Sequence, residues 1–168
     1  MSRMTSPLSH VDDSGRARMV DVGDKPLTRR EATARARVRM RPQTLGLALS
    51  GGGPKGPVLE VARLAGIQAA KRTAELIPMC HVLPLDAVEV RIEPEGEDAL
   101  AVTATACTTA RTGVEMEALT AAAIAALTLI DMLKAVEKGL VVEQILLLAK
   151  SGGRGGDWRR DADPGATA

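Results

Sequence analysis

The chain has 168 residues, and its 22 Lys and Arg against 21 Asp and Glu leave a net charge of +1. That length fits one domain with its own core, and near-neutrality excludes a global field that would draw the protein to nucleic acid or a membrane surface. Trp158 is the only aromatic residue, so the core must be built from Ala, Val, Leu, Ile and Met, which favours close packing and makes oligomerisation a natural contributor to stability. Cys80 and Cys107 belong to no CxxC or Cys/His cluster, so neither structural zinc nor a disulfide framework is indicated, and a reducing cytoplasm is the natural compartment. Residues 1–13 lack the apolar stretch of a secretory signal. A flexible arm over 1–9, a single domain over 10–158 and a disordered tail over 159–168 are expected.

In chain order, residues 19–22 could add a short strand before the core. Residues 33–41 alternate strictly, with Ala34, Ala36, Val38 and Met40 on one side and Thr33, Arg35, Arg37, Arg39 and Arg41 on the other, which predicts a strand with a basic outer face. A short helix is predicted over 42–49, then a glycine-rich loop over 50–56 that carries Lys55. The loop invites a phosphate-binding reading, but it lacks the Gly-Lys-Ser/Thr of a Walker A sequence and on its own is as well read as a flexible connection. Pro57 suits the first position of a helix, and helical apolar spacing continues over 58–77 until Pro78. Strands are predicted over 85–93 and 100–111, separated by a turn at 94–98. A long helix over 113–138 and a strand over 141–149 follow, and a second basic glycine-rich loop occupies 150–156.

Strand, helix, strand, strand, helix, strand is the α+β, ferredoxin-like split βαβ order, an antiparallel sheet with its helices on one face. Such sheets include RNA-binding modules, but those stack bases on aromatic side chains, and with no Phe or Tyr this chain offers no such platform.

The helix over 113–138 is the most informative segment. Glu115 and Glu117 lie in its first turn, where carboxylates complement the helix dipole, and Gly139 stands where a C-terminal glycine would. Thirteen uncharged residues, 118–130, form its body, short of the roughly 20 a bilayer span needs. Asp131 and Lys134 are spaced i, i+3 and can pair, either as an exposed ion pair or as a carboxylate tuning a reactive lysine. Glu117 and Asp131 are fourteen residues apart, roughly 21 Å along a helix axis. One small ligand cannot easily touch both within one chain, so either the ends serve different sites or neighbouring subunits bring opposite ends together.

Six collinear segments carry a family resemblance: Lys55-Gly56, Ala65-Gly-Ile-Gln-Ala-Ala-Lys-Arg-Thr73, Glu75-Leu-Ile-Pro-Met-Cys-His81, Thr112-Gly-Val-Glu-Met-Glu-Ala-Leu-Thr-Ala121, Asp131-Met-Leu-Lys134 and Leu148-Ala-Lys-Ser-Gly-Gly153. Together they resemble the cyclic pyranopterin monophosphate synthases, the molybdenum cofactor biosynthesis protein C family, over residues 8–158. The resemblance implies a lyase that converts 3′,8-cyclised dihydro-GTP, the product of an upstream radical GTP cyclase, into cyclic pyranopterin monophosphate and pyrophosphate. It implies a homohexamer, a trimer of dimers with sites shared between subunits, no resident cofactor, and a divalent metal only as a companion of the substrate triphosphate. Catalytic roles then fall to Asp131, Lys134 and Lys55, and substrate contact to Met79, Cys80, His81, Glu115, Met116, Glu117, Lys71, Lys150 and Arg30. Two positions depart from the family pattern: Pro57 replaces an aspartate after Lys-Gly and stiffens the Lys55 loop, and Val82 replaces a proline after His81. The alternative is a catalytically impaired homologue that keeps the fold as a structural or nucleotide-binding protein.

Overall fold

The computed structural model describes residues 14–161. Within them the chain forms β1 (Thr28–Arg39), α1 (Pro42–Leu49), α2 (Val58–Lys71), α3 (Thr73–Leu76), β2 (Ala87–Glu95), β3 (Ala99–Ala110), α4 (Glu115–Leu133), β4 (Val141–Ser151) and β5 (Trp158–Arg159). The strands make one antiparallel sheet in the order β2-β3-β1-β4-β5. The expected ferredoxin-like arrangement is present, with a short fifth strand at one edge.

The predicted alternation of β1 is realised as two chemically distinct faces. Ala32, Ala34, Ala36 and Val38 are buried on the inner face with Leu100, Val102, Ala104 and Ala106 of β3, and α2 and α4 pack over them. On the outer face Thr33 bonds Thr105 across the strands at 3.0 Å. Arg35 pairs with Glu95 at 2.5 Å, Arg37 with Glu95 and Asp98 at 3.2 Å each and also with Glu143, and Arg39 with Glu143 at 2.5 Å. Each arginine of the stripe thus has a carboxylate on another strand or on a turn, Glu95 reaching across β3 from β2, so this face carries no bare row of cations.

Small side chains decide how the layers meet. A Cβ at Gly66 of α2 would lie 2.9 Å from the Ala121 carbonyl oxygen and 3.1 Å from the Ala125 methyl of α4, and 3.2 Å from Val90 of β2. Only hydrogen fits there, and the α2–α4 distance is set by that contact. α4 meets the length and composition criterion for a membrane span, yet 56% of its most apolar window is buried within the protein, and its alanines pack against α2 and the sheet.

Several element boundaries differ from the sequence reading. The helix predicted over 58–77 breaks at Arg72, whose φ of −112° and ψ of 13° leave the helical region before α3 begins. The Thr73 hydroxyl caps the break by donating to the Ala70 and Ala69 carbonyls. The helix predicted over 113–138 spans only Glu115–Leu133, with Lys134 as its C-cap, so Gly139 lies beyond the cap region instead of closing the helix. Residues 19–22 form no strand. The expected tail begins in order: Arg159 pairs with β4 together with Trp158, and Arg160 donates through its backbone N–H to the Leu148 carbonyl at 2.8 Å. The arm over 1–9 and the rest of the tail, 162–168, lie outside the described residues.

Gly66→Val should lower unfolding stability by about 1–3 kcal/mol, the usual cost of overpacking, read from urea denaturation. Gly46→Ala is the control: Gly46 lies inside α1 with open space around it, and this change should stabilise by up to about 1 kcal/mol. Equal effects of both substitutions would contradict the packing account.

Candidate active site

Two clusters of chemically active side chains lie at opposite ends of α4. At its N-terminal end, two adjoining cavities share Lys25, Thr112, Gly113 and Glu115 and form one bent groove. The lobes measure about 370 and 490 Å³, each within the range typical of small-ligand sites.

The first lobe is lined by Met79, Cys80, His81, Met116 and Glu117, with Val20 and Val22 from the N-terminal segment. His81 donates through Nε2 to the Val20 carbonyl at 2.9 Å, which fixes that ring nitrogen as the protonated one. Glu117 is only 4% exposed. Burial pushes its carboxyl above the ordinary carboxylate range, and the neighbouring Glu115 charge adds to the rise despite a bond from Glu117's own backbone N–H. Burial likewise pushes the Cys80 thiol up, with Glu117 contributing, so Cys80 is held as the neutral thiol and is a poor nucleophile.

The second lobe is cationic. Arg30, Arg111, Lys150, Arg154 and Lys25 line it, and Glu115 is the one carboxylate among its lining residues. Lys150 pairs with Glu115 at 3.0 Å, Arg30 donates to the Arg111 carbonyl at 3.3 Å, and Arg111 donates to the Lys25 carbonyl at 3.0 Å. The glycine-rich loop after β4 can lie against β1 only as glycine. Gly152 and Gly153 have φ of +90° and +75°, and a Cβ there would collide with the Arg29 carbonyl and the Arg30 guanidinium respectively. Arg30 Nε and the Thr28 hydroxyl are buried beside this lobe without a partner.

At the C-terminal end of α4, Asp131 is gripped from two sides. Lys134 Nζ lies 2.7 Å from Oδ1, and Lys55 Nζ lies 2.7 Å from Oδ2. The hydrogen bond from Lys134, then that from Lys55, hold the carboxyl down at about 2. All three side chains are close to half exposed or more, so solvent screening makes the pairs weak as stabilising contacts. Their consequence is positional: an anion keeps two ammonium groups a few ångströms apart. Pro57, which departs from the family pattern beside Lys55, is the N-cap of α2 at φ −72° and does not prevent the reach.

The residues expected in one site are therefore divided. Met79, Cys80, His81, Glu115, Met116, Glu117, Lys150 and Arg30 are brought together at one end, and Lys55, Asp131 and Lys134 at the other. Lys71 joins neither and lines a separate groove with Asp86 and Leu83. Sequence reasoning missed Lys25 and Arg111 as lining residues. No spacing pattern marks them, and they are contributed by coil segments that only the fold carries to the groove. Among the described residues no group of three or more His, Cys, Asp or Glu side chains is placed to hold a metal ion.

Comparison with known proteins places this geometry in context. The model of the MoaC family matches residues 19–153. The cyclic pyranopterin monophosphate synthase of Chloroflexus aggregans is 59% identical over 162 residues, covering 96% of this chain and 98% of the relative. The synthases of that name from Chloroflexus aurantiacus and Thermomicrobium roseum are each 58% identical, covering 95% and 93% of this chain and 99% and 95% of their own.

The Glu117 carboxyl yields a pH prediction. Its folded pKa lies above its unfolded one, so its contribution to stability is complete below the unfolded value and lost as pH rises through the folded one. Glu117→Gln removes that loss. The stability of the variant relative to wild type should increase as pH rises from the ordinary carboxylate range through the raised folded value, measured by urea midpoints. A difference that stays flat with pH would refute the shift.

Proposed function

The chain belongs to the MoaC family, and we propose that it works as its relatives are named, as a cyclic pyranopterin monophosphate synthase acting in molybdenum cofactor biosynthesis. The reaction is a lyase step: 3′,8-cyclised dihydro-GTP is rearranged to cyclic pyranopterin monophosphate, and pyrophosphate leaves. The observation that carries the reading at the level of residues is Asp131 held between Lys55 and Lys134 at 2.7 Å each.

The chemistry asks for two things, and the chain offers a candidate for each. Remodelling the purine ring moves protons at ring nitrogens and carbons, a task for amines near neutral pH. Lys55 and Lys134 exchange those protons, and Asp131, ionised throughout the working pH range, orients both. Closing the cyclic phosphate expels a charged pyrophosphate, which needs fixed cations. Arg30, Lys150 and the rest of the cationic lobe receive the triphosphate, while Met79, Cys80, His81, Met116 and Glu117 hold the base. Lys71 approaches the phosphates from a neighbouring chain. The chain supplies no resident cofactor to this scheme, and a divalent metal enters only with the substrate triphosphate. The substrate comes from a radical GTP cyclase in the same reducing cytoplasm, in keeping with Cys80 and Cys107 both being free thiols.

The distance along α4 supports a shared site. Glu117 and Asp131 lie roughly 21 Å apart on one helix, further than one nucleotide-sized ligand conveniently bridges. A complete site therefore takes its groove from one subunit and its Lys55–Asp131–Lys134 cluster from another, within a homohexamer built as a trimer of dimers. The exposed Leu64, Leu76 and Leu127 on the helix layer are suited to burial in such an assembly.

With purified protein and the cyclised intermediate, Lys134→Ala and Asp131→Asn should each reduce turnover by about 10²-fold or more while leaving assembly intact. Near-normal rates in either would sink the assignment. Binding of the intermediate by wild-type protein without formation of product and pyrophosphate would favour the catalytically impaired homologue. The shared site has its own test: oligomers reconstituted from a mixture of Asp131→Asn and His81→Ala chains should regain activity that neither parent shows. No recovery in verified mixed oligomers would place both clusters in separate sites.

A further inference from the structure

Glu137, three residues after Lys134, is a buried carboxylate that the scheme above does not use. It follows α4 by four positions, in a turn whose Val136 and Glu137 backbone N–H groups donate to the Leu133 carbonyl at 2.8 and 3.1 Å. It is 7% exposed, an expensive position for a carboxylate unless its oxygens find donors.

Its donors come from Arg41, distant in sequence. The Arg41 backbone N–H donates to Glu137 Oε2 at 3.0 Å, the Arg41 guanidinium lies 3.6 Å from the same oxygen, and Arg41 Nη2 donates to the Val136 carbonyl at 3.2 Å. Arg41 is the N-cap of α1 and has no side-chain cap of its own; Pro42 follows at the first helical position. In a local capping box, a Glu three residues into the helix reaches back to the N-cap N–H. Here Thr44 holds that third position, and Glu137 supplies the carboxylate from the far side of the chain.

This cap ties together the two segments that carry the lysines. α1 ends at Leu49 with Ser50 as its C-cap, and the loop that follows, pinched by the bridge between Gly53 and Gly56, carries Lys55 to Asp131. Lys134 is the C-cap of α4 three residues before Glu137. We propose that Glu137 is a positioning residue: by capping α1 from the turn after α4, it fixes the root of the Lys55 loop relative to Asp131 and Lys134. The proposal rests on reading Lys55, Asp131 and Lys134 as the reacting cluster.

Two measurements on the full-length oligomer test it. The first needs no turnover: limited acetylation with acetic anhydride, quantified by mass spectrometry, with Lys55 labelling in the urea-denatured form of each variant as reference. Release of Lys55 in Glu137→Ala should raise its labelling relative to that reference by about two- to threefold, on the view that a paired amine is masked and a freed one is not. Glu137→Gln keeps an acceptor for the Arg41 N–H and should stay close to wild type. The second is kinetic: kcat of Glu137→Ala should fall about tenfold with KM little changed, as expected for a small misplacement of a reacting group. In a Lys55→Ala background the same substitution should have almost no further effect, because effects that pass through one residue are not additive. If Glu137→Ala does not fold, Glu137→Asp, which withdraws the carboxylate by one methylene, should raise Lys55 labelling and lower kcat in the same sense. A folded Glu137→Ala or Glu137→Asp with unchanged Lys55 labelling overturns the proposal, as does a kcat loss that persists in full without Lys55. Wild-type protein inactive on the cyclised intermediate would refute the proposed function alone, and the labelling would still decide the role of Glu137.

Discussion

The contact on which the rest of this fold depends is the approach of α2 to α4 across Gly66 and the Ala121 carbonyl. With no Phe or Tyr to fill space, the core gains van der Waals contact by bringing backbones together, and the alanines of α4 permit it. α4 also packs on the inner side of β1 and β3, themselves lined by alanine, valine and leucine. A helix seated this closely has little freedom to slide or rotate. The side chains at its two ends are therefore held where the helix puts them.

Those ends show opposite electrostatic treatment of carboxylates. Hydrogen bonds from Lys134 and Lys55 hold Asp131 ionised down to about pH 2, so it serves as a permanent anion that gathers cations. Glu117, at the other end, is buried beside a second acid, and its charged form is disfavoured. Environments that push two acids apart in this way are common where acid/base chemistry is performed. Desolvation also pushes Glu137 up, but the Arg41 backbone N–H, the Thr44 hydroxyl and the Arg41 charge together outweigh it and leave it below the ordinary carboxylate value. A third carboxylate is thus kept charged in a buried place, where it caps a helix.

The outer face of the sheet illustrates how little a charge pattern says until its neighbours are known. The arginines of β1 read as a basic stripe, yet Glu95, Asp98 and Glu143 meet them from β2, the following turn and β4. The sheet brings acids of distant sequence within side-chain reach of these bases, and a stripe fit for a polyanion becomes an internally neutralised network.

Much of the fold was legible in the chain itself, because alternation in β1 and β3, helical spacing in α2 and α4, and glycine punctuation are local signals. The ends of elements were less so: α2 stops at Arg72 and α4 at Leu133, where hydrogen bonds made by the surrounding turns override continuing apolar periodicity. At the site, the motif segments pointed to most of the side chains, and helical rise alone separated Glu117 from Asp131. Local rules could not supply what depends on distant segments meeting. That Lys55 reaches Asp131, that Lys25 and Arg111 line the groove, and that Glu137 caps α1 all follow from how loops far apart in sequence converge on the two ends of α4. The sequence by itself determined the main elements, their order and the family, since periodicity and motif spacing are properties of neighbouring residues. Only the tertiary structure decided which charges meet, because pairing, burial and the resulting pKa shifts depend on distances through space that no stretch of chain encodes alone.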